Sequence, residues 1–185
     1  MKTSGHYPTD MTHMKTKRIP LLLALCAALL LGSGCSVKYS FSGASVNYAL
    51  SKTVSVSYFN NMAAMVAPIL SPTLTDELTS KLASQTRLQV VREDGDLAFS
   101  GEITGYSSDP VAISGDEYAL KNRLTITVKV KFVNKAEPQF SFEKTFSNYE
   151  DYNTNVLLTQ AEGTLIPQIV EKLVDDIFNE ALSNW

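Results

Sequence analysis

Residues 123 to 133 narrow the fold more than any other stretch of this chain. Leu124, Ile126, Val128, Val130 and Phe132 alternate with Arg123, Thr125, Thr127, Lys129 and Lys131. Side chains of a strand point to opposite faces with a period of two, so this segment predicts a strand with one apolar and one polar face. The apolar face has to be covered by a second layer. A polar break from Asn134 to Pro138 leads into Gln139 to Phe146, where Phe140, Phe142 and Phe146 are expected to point inward. The two segments are read as an antiparallel hairpin.

Other strand signals precede this pair. Thr53 to Phe59 (TVSVSYF) alternates, with Val54, Val56 and Tyr58 on one side. Leu88 to Val91 is a short apolar run, and Asp94-Gly95-Asp96 turns the chain. Leu97 to Tyr106 places Leu97, Phe99 and Ile103 on one face with Gly101 and Gly105. Those glycines predict a bulge or a close approach by another element. A loop is expected around Asp109-Pro110 and Gly115-Asp116.

Two helices complete the pattern. Ser71-Pro72 reads as N-cap and first helical residue, and Leu70, Leu74, Leu78 and Leu82 recur every four positions to about Thr86. Near the C-terminus, Thr159 and Glu162 have capping-box spacing, and Pro167 is expected to start or kink the main helix. Ile166, Ile169, Val170, Leu173, Ile177, Phe178, Ala181 and Leu182 form its apolar face. The predicted fold class is α+β, with two α-helices packed on a roughly four-stranded, mainly antiparallel sheet.

The N-terminus carries a separate signal. Lys15, Lys17 and Arg18 precede the apolar run Ile19 to Leu31, which is too short for a spanning helix of roughly 20 residues. Gly32-Ser33-Gly34 then leads directly to Cys35. A charged region, a short apolar core and small residues make a secretory signal, and the cysteine in that place resembles the lipobox of bacterial lipoproteins. Gly32 stands where that pattern usually has Leu. The expectations are a signal peptide over 1–34, with 1–13 as an upstream extension before a start at Met14 (Met11 being the alternative start), and lipid on Cys35. An extended lead-in over 35–52 and a single domain over 53–185 follow. A single acyl chain holds only marginally, so two or three would be needed for durable attachment.

Removing residues 1–34 also removes His6, His13 and Cys26. The remaining chain has no histidine, and Cys35 is its one cysteine. Nucleophilic catalysis of the Ser-His or Cys-His kind is thereby excluded, as are the usual zinc sites. Asp94/Asp96, Asp116/Glu117 and Asp175/Asp176 are carboxylate pairs, read as turn residues in the first two cases and a solvated helix face in the third. No enzyme activity, metal or cofactor is expected beyond the covalent lipid. Without Lys2, Lys15, Lys17, Arg18 and Asp10, the chain retains 12 basic and 18 acidic residues. That balance argues against a general nucleic-acid binder.

Several segments in fixed order resemble a known family. They are Tyr39 to Gly43 (Y-x-F-x-G), Ser57 to Asn61 (SYFNN), Gly95 to Tyr106 (GDLAFSGEITGY), Asn122 to Asn134 (NRLTITVKVKFVN), and Asp175 to Trp185. Together they are similar to the LPS-assembly lipoprotein family, LptE, over essentially the whole chain after Cys35. The resemblance implies a lipid-anchored protein on the periplasmic side of the outer membrane. It implies a non-enzymatic plug in the LptD β-barrel, which helps that barrel assemble and supports lipopolysaccharide (LPS) transport. The competing reading is an accessory lipoprotein of another envelope lipid or ABC transport system.

Within that expectation, Lys121, Arg123, Lys129 and Lys131 are candidate LPS contacts. Lys129 and Lys131 lie about 6.8 Å apart on one strand face, and Arg123 could grip a phosphate bidentately. The same residues also read as an ordinary solvated strand face whose lysines discourage aggregation. Tyr149, Tyr152 and Trp185 are candidate partner-interface aromatics, although Trp185 could equally pack its own domain.

Overall fold

The structure is a computed structural model, and it describes residues 46–111 and 121–182. Strand β1 spans Thr53–Val56 and β2 spans Asn60–Asn61. Helix α1 follows at Leu70–Gln85, then β3 at Gln89–Val91 and β4 at Leu97–Val111. Strand β5 covers Lys121–Asn134, a 3-10 turn covers Pro138–Phe140, and β6 covers Phe142–Asn153. Helix α2 covers Leu158–Leu182.

The strand order is β3-β1-β4-β5-β6, with β2 also paired to β4. β4, β5 and β6 are antiparallel, whereas β1 is parallel to both β3 and β4, and β2 is parallel to β4. The expected four-stranded, mainly antiparallel sheet is therefore corrected to a mixed sheet of six strands. The reason is the crossover through α1, which returns the chain to the same end of the sheet and makes the following strands parallel to β1.

The strongest alternation is reproduced. Leu124, Ile126, Val128, Val130 and Phe132 are buried, and Phe99, Phe132, Phe142 and Phe146 form a row of tilted and edge-on aromatic contacts across three strands. Both helices pack on this face of the sheet and on each other. Leu70, Leu74, Leu78 and Leu82 are all fully buried, as is the predicted stripe of α2 from Ile166 to Ile177. Buried apolar area of this kind contributes about 25 cal/mol per Å² and is the main force holding helices to sheet.

Local departures have identifiable causes. The segment 53–59 is not one strand. It breaks after Val56, which turns Phe59 into the core and leaves Tyr58 exposed. The Phe59 N–H donates to Thr75 Oγ1 instead of to a strand. A register shift between Ile103 and Gly105 reverses the parity of β4, so Tyr106 becomes the next buried residue and Gly105 lies opposite Thr127. Gly101 needs its missing side chain, because a Cβ there would sit 2.1 Å from the Lys129 carbonyl oxygen.

Helix α1 begins one residue before the expected cap. Ser71 lies inside its first turn, where its carbonyl accepts from Thr75 Oγ1. Pro72 is tolerated there because the first four N–H groups of a helix have no internal partner. Pro167 lies inside α2 rather than at its start. Glu162 does not close a capping box but accepts from the Tyr106 hydroxyl at 2.6 Å. β4 continues through the expected loop at Asp109-Pro110, and the turn expected at Gly115-Asp116 lies outside the described residues.

Candidate ligand and partner surface

One face of the sheet is left uncovered by the helices, and the outward residues of β4, β5 and β6 make it. In register across it stand Glu102, Lys129 and Thr145, then Ser100, Lys131 and Glu143. Toward the far end stand Ser107, Thr125 and Tyr149, then Asp109, Arg123 and Asp151. Hydroxyl side chains fill the middle, where Thr127 Oγ1 and Ser147 Oγ are 3.0 Å apart. The face is polar because the period-two alternation that buries Leu124 to Phe132 sends every intervening side chain outward.

The four basic residues fall into two groups. Lys129 and Lys131 line an open depression of about 260 Å³ with Ser100, Gly101, Glu102 and Glu143. Lys129 Nζ lies 2.5 Å from Glu143 Oε1, which holds the lysine pKa above and the carboxyl pKa below their ordinary values. Glu143 also faces Lys131 directly across the strand pair. Glu143 therefore pairs with Lys129 and lies in the field of Lys131.

Arg123 and Lys121 lie at the other end. Arg123 donates from Nε to Asp151 Oδ1 at 2.7 Å and from its terminal nitrogen Nη2 to Oδ2 at 3.0 Å. Its Cζ is 3.7 Å from the centroid of the Tyr149 ring. The hydrogen bonds from Arg123 hold the Asp151 carboxyl below its usual range, with Lys121 adding to the effect. The bidentate edge of Arg123 is thus already engaged, so a phosphate would have to displace Asp151 to use it. The four candidate basic residues do share this face, and carboxylates stand among them. Glu102, Glu143 and Asp151, which together with Asp109 balance the four cations, were not singled out from the sequence. Only the strand register brings them opposite the basic residues.

The three candidate interface aromatics are placed differently. Tyr149 is on the open face and 46% exposed. Tyr152 points to the helix side, is 8% exposed, and its hydroxyl is 2.7 Å from Ser108 Oγ. Trp185 and Cys35 lie outside the described residues, as do Asp116 and Glu117. The other carboxylate pairs have structural partners. Asp96 accepts from the Lys52 and Thr53 N–H groups and the Thr53 hydroxyl, which lower its pKa. Asp94 pairs with Lys135, Asp175 with Lys81, and Asp176 accepts from Asn148.

Polar pairs also tie β6 to α2. Glu150 meets Lys172, Asn148 meets Asp176, and Lys144 meets Glu180, so successive turns of the helix engage alternate positions of the strand. Among the described residues, no three His, Cys, Asp or Glu side chains are grouped to hold a metal. No described helix is long and apolar enough to cross a membrane.

Fold and surface define a two-layer α+β domain in which, among the described residues, one charge-balanced sheet face is left uncovered. The sequence of residues 51–181 matches the LptE family, described as lipopolysaccharide-assembly. The chain belongs to that family, a non-enzymatic family of outer-membrane lipoproteins that partner LptD and LPS. No curated protein matches at a significant level. Among solved structures, a minor lipoprotein from Acinetobacter baumannii is similar at 16% identity and a TM-score of 0.46, over 70% of this chain and 91% of that one. A Xanthomonas campestris protein is similar at 12% identity and a TM-score of 0.48, over 71% and 84% of the two chains. The PelC dodecamer from Paraburkholderia phytofirmans is similar at 9% identity and a TM-score of 0.46, over 77% and 96%.

Proposed function

We propose that this chain is anchored through lipid on Cys35 to the periplasmic side of the outer membrane. There it plugs, and helps to assemble, an LptD-like β-barrel that transports and inserts LPS. The observation that carries this reading is the family match, which spans almost the whole described domain. The uncovered polar sheet face is consistent with it, because the lumen of a membrane barrel is polar. Lys129 and Lys131, together in one depression, are the proposed LPS contacts. Lys121 and Arg123 form a second, weaker anion site in which Asp151 competes. Tyr149 is the exposed aromatic proposed to meet the barrel, and Trp185 is retained as a second.

A detergent pull-down of the full lipoprotein, with bound proteins identified by mass spectrometry, tests the reading. Recovery of a large β-barrel at roughly one-to-one stoichiometry is the expected result. A folded bait that recovers no barrel would overturn it in favour of an accessory role in another envelope transporter.

A further inference from the structure

Strand β4 is 15 residues long, yet one of its sides is paired over only part of that length. β1 covers Leu97–Phe99 and β2 covers Glu102–Ile103. The last bond on that side runs from the Met62 N–H to the Ile103 carbonyl at 2.8 Å. On the opposite side β5 remains in register to Val111. Among the described residues, nothing pairs with the β1 side of residues 104–111.

The register shift next to Ile103 decides which groups this bare edge presents. Before the shift, Phe99 and Ile103 aim their carbonyls toward β1 and β2. After it the parity is reversed, so Tyr106, Ser108 and Pro110 carry the outward groups. Pro110 has no N–H, and inside a strand it is tolerated where the edge is unpaired.

An unpaired edge is a template for another strand, and proteins commonly guard such edges with charge. The other long edge, β6, carries Glu143, Lys144, Glu150 and Asp151. From Thr104 to Ser108 the β4 edge carries none. The segment that leaves the sheet beside this edge is also unusual. Tyr58, Met62, Met65, Val66 and Ile69 are 43–67% exposed, and no charged residue occurs from Thr53 through Thr75. Single exposed apolar residues need no explanation, but a concentration of them next to an open strand edge marks a contact surface.

We propose that residues 104–108 and the adjoining Met62–Ile69 segment together receive an extended segment of a partner polypeptide by strand addition. Main-chain hydrogen bonds to β4 hold that segment, and its alternate apolar side chains cover Met62, Met65 and Val66. The inference rests on the proposed barrel partnership and names the kind of segment the barrel protein supplies. That segment lies outside the barrel wall, because wall strands are already hydrogen-bonded on both sides. An anionic membrane surface fits less well, since residues 53–75 offer it no Lys or Arg.

The test uses the full lipoprotein co-purified with its barrel. A photo-crosslinking amino acid replaces Thr104, Ser107 or Met65, one at a time, and the linked peptides are sequenced. The expected links from all three positions fall within one short stretch of the barrel protein. Ser108→Pro removes an outward N–H while sparing the β5 ladder, and Met65→Lys/Val66→Lys charges the apolar segment. Each is expected to lower barrel recovery about tenfold, the effect of losing about 1.4 kcal/mol of contact, with the bait still unfolding cooperatively, whereas Ser108→Ala, which removes only the hydroxyl that meets Tyr152, is expected to keep full recovery. Links to residues 36–45 of the same chain, or full recovery with both variants, would overturn strand addition while leaving the barrel partnership standing. A wild-type bait without a barrel would instead overturn the partnership itself.

Discussion

Arg123 and Asp151 face each other across β5 and β6 and are joined by two parallel hydrogen bonds, with Nε–Oδ1 at 2.7 Å and Nη2–Oδ2 at 3.0 Å. Tyr149 packs its ring on the same guanidinium. This pair fixes the electrostatics of the far end of the open face, and it has a consequence for acid stability.

The carboxyls of Asp96, Glu143 and Asp151 are all held below their ordinary values, chiefly by hydrogen bonds from Lys52 and Thr53, from Lys129 and from Arg123, respectively. A carboxyl depressed on folding contributes stability above its unfolded pKa, about 3.9 for Asp and 4.3 for Glu. That contribution is lost as pH falls through the lower folded value. The thermal midpoint should hold near neutral pH and drop below about pH 4. Arg123→Ala should raise the Asp151 pKa toward the ordinary value, as read by carboxyl NMR titration. An Asp151 titration that Arg123→Ala leaves in place would contradict this account.

The open depression makes a directional prediction about anionic ligands. Glu143 neutralises Lys129 in the free protein, so Glu143→Gln should tighten LPS binding, whereas Lys129→Glu/Lys131→Glu should weaken it about tenfold or more. Titration of labelled LPS into the full lipoprotein at two salt concentrations reads both. Equal affinity for all three proteins would return this surface to an ordinary solvated strand face.

Core packing is tested at Leu78, which is fully buried in the middle of the α1 stripe. Leu78→Ala should destabilise by about 2–5 kcal/mol, measured by chemical denaturation. A loss below about 1 kcal/mol would mean that α1 is not packed as described.

Two glycines should respond in opposite directions. Gly101→Ala places a methyl against the Lys129 carbonyl and the Phe59 ring, and should cost about 1–3 kcal/mol. Gly163 lies within α2 with nothing within 4 Å of an added Cβ. Gly163→Ala should stabilise by about 0.4–1 kcal/mol by restricting the unfolded chain. Paired denaturation curves decide, and equal effects of the two changes would be incompatible with the backbone approach at Gly101.

The sequence by itself determined the two helices, the central strand and the faces these bury. Alternation from Arg123 to Phe132 and the four-residue recurrence of Leu70 to Leu82 are local patterns, and a strand or helix converts each directly into a face. Tertiary structure decided what stands beside what. The parallel insertion of β1 between β3 and β4, the break that buries Phe59, and the pairing of Lys129 with Glu143 and Arg123 with Asp151 all depend on strand order and register. These are set by contacts between residues distant in the chain. Periodicity could show that four cations share one face. It could not show that carboxylates from a neighbouring strand already meet Arg123 and Lys129, because a shift of one residue in register would have turned those acids to the other side of the sheet.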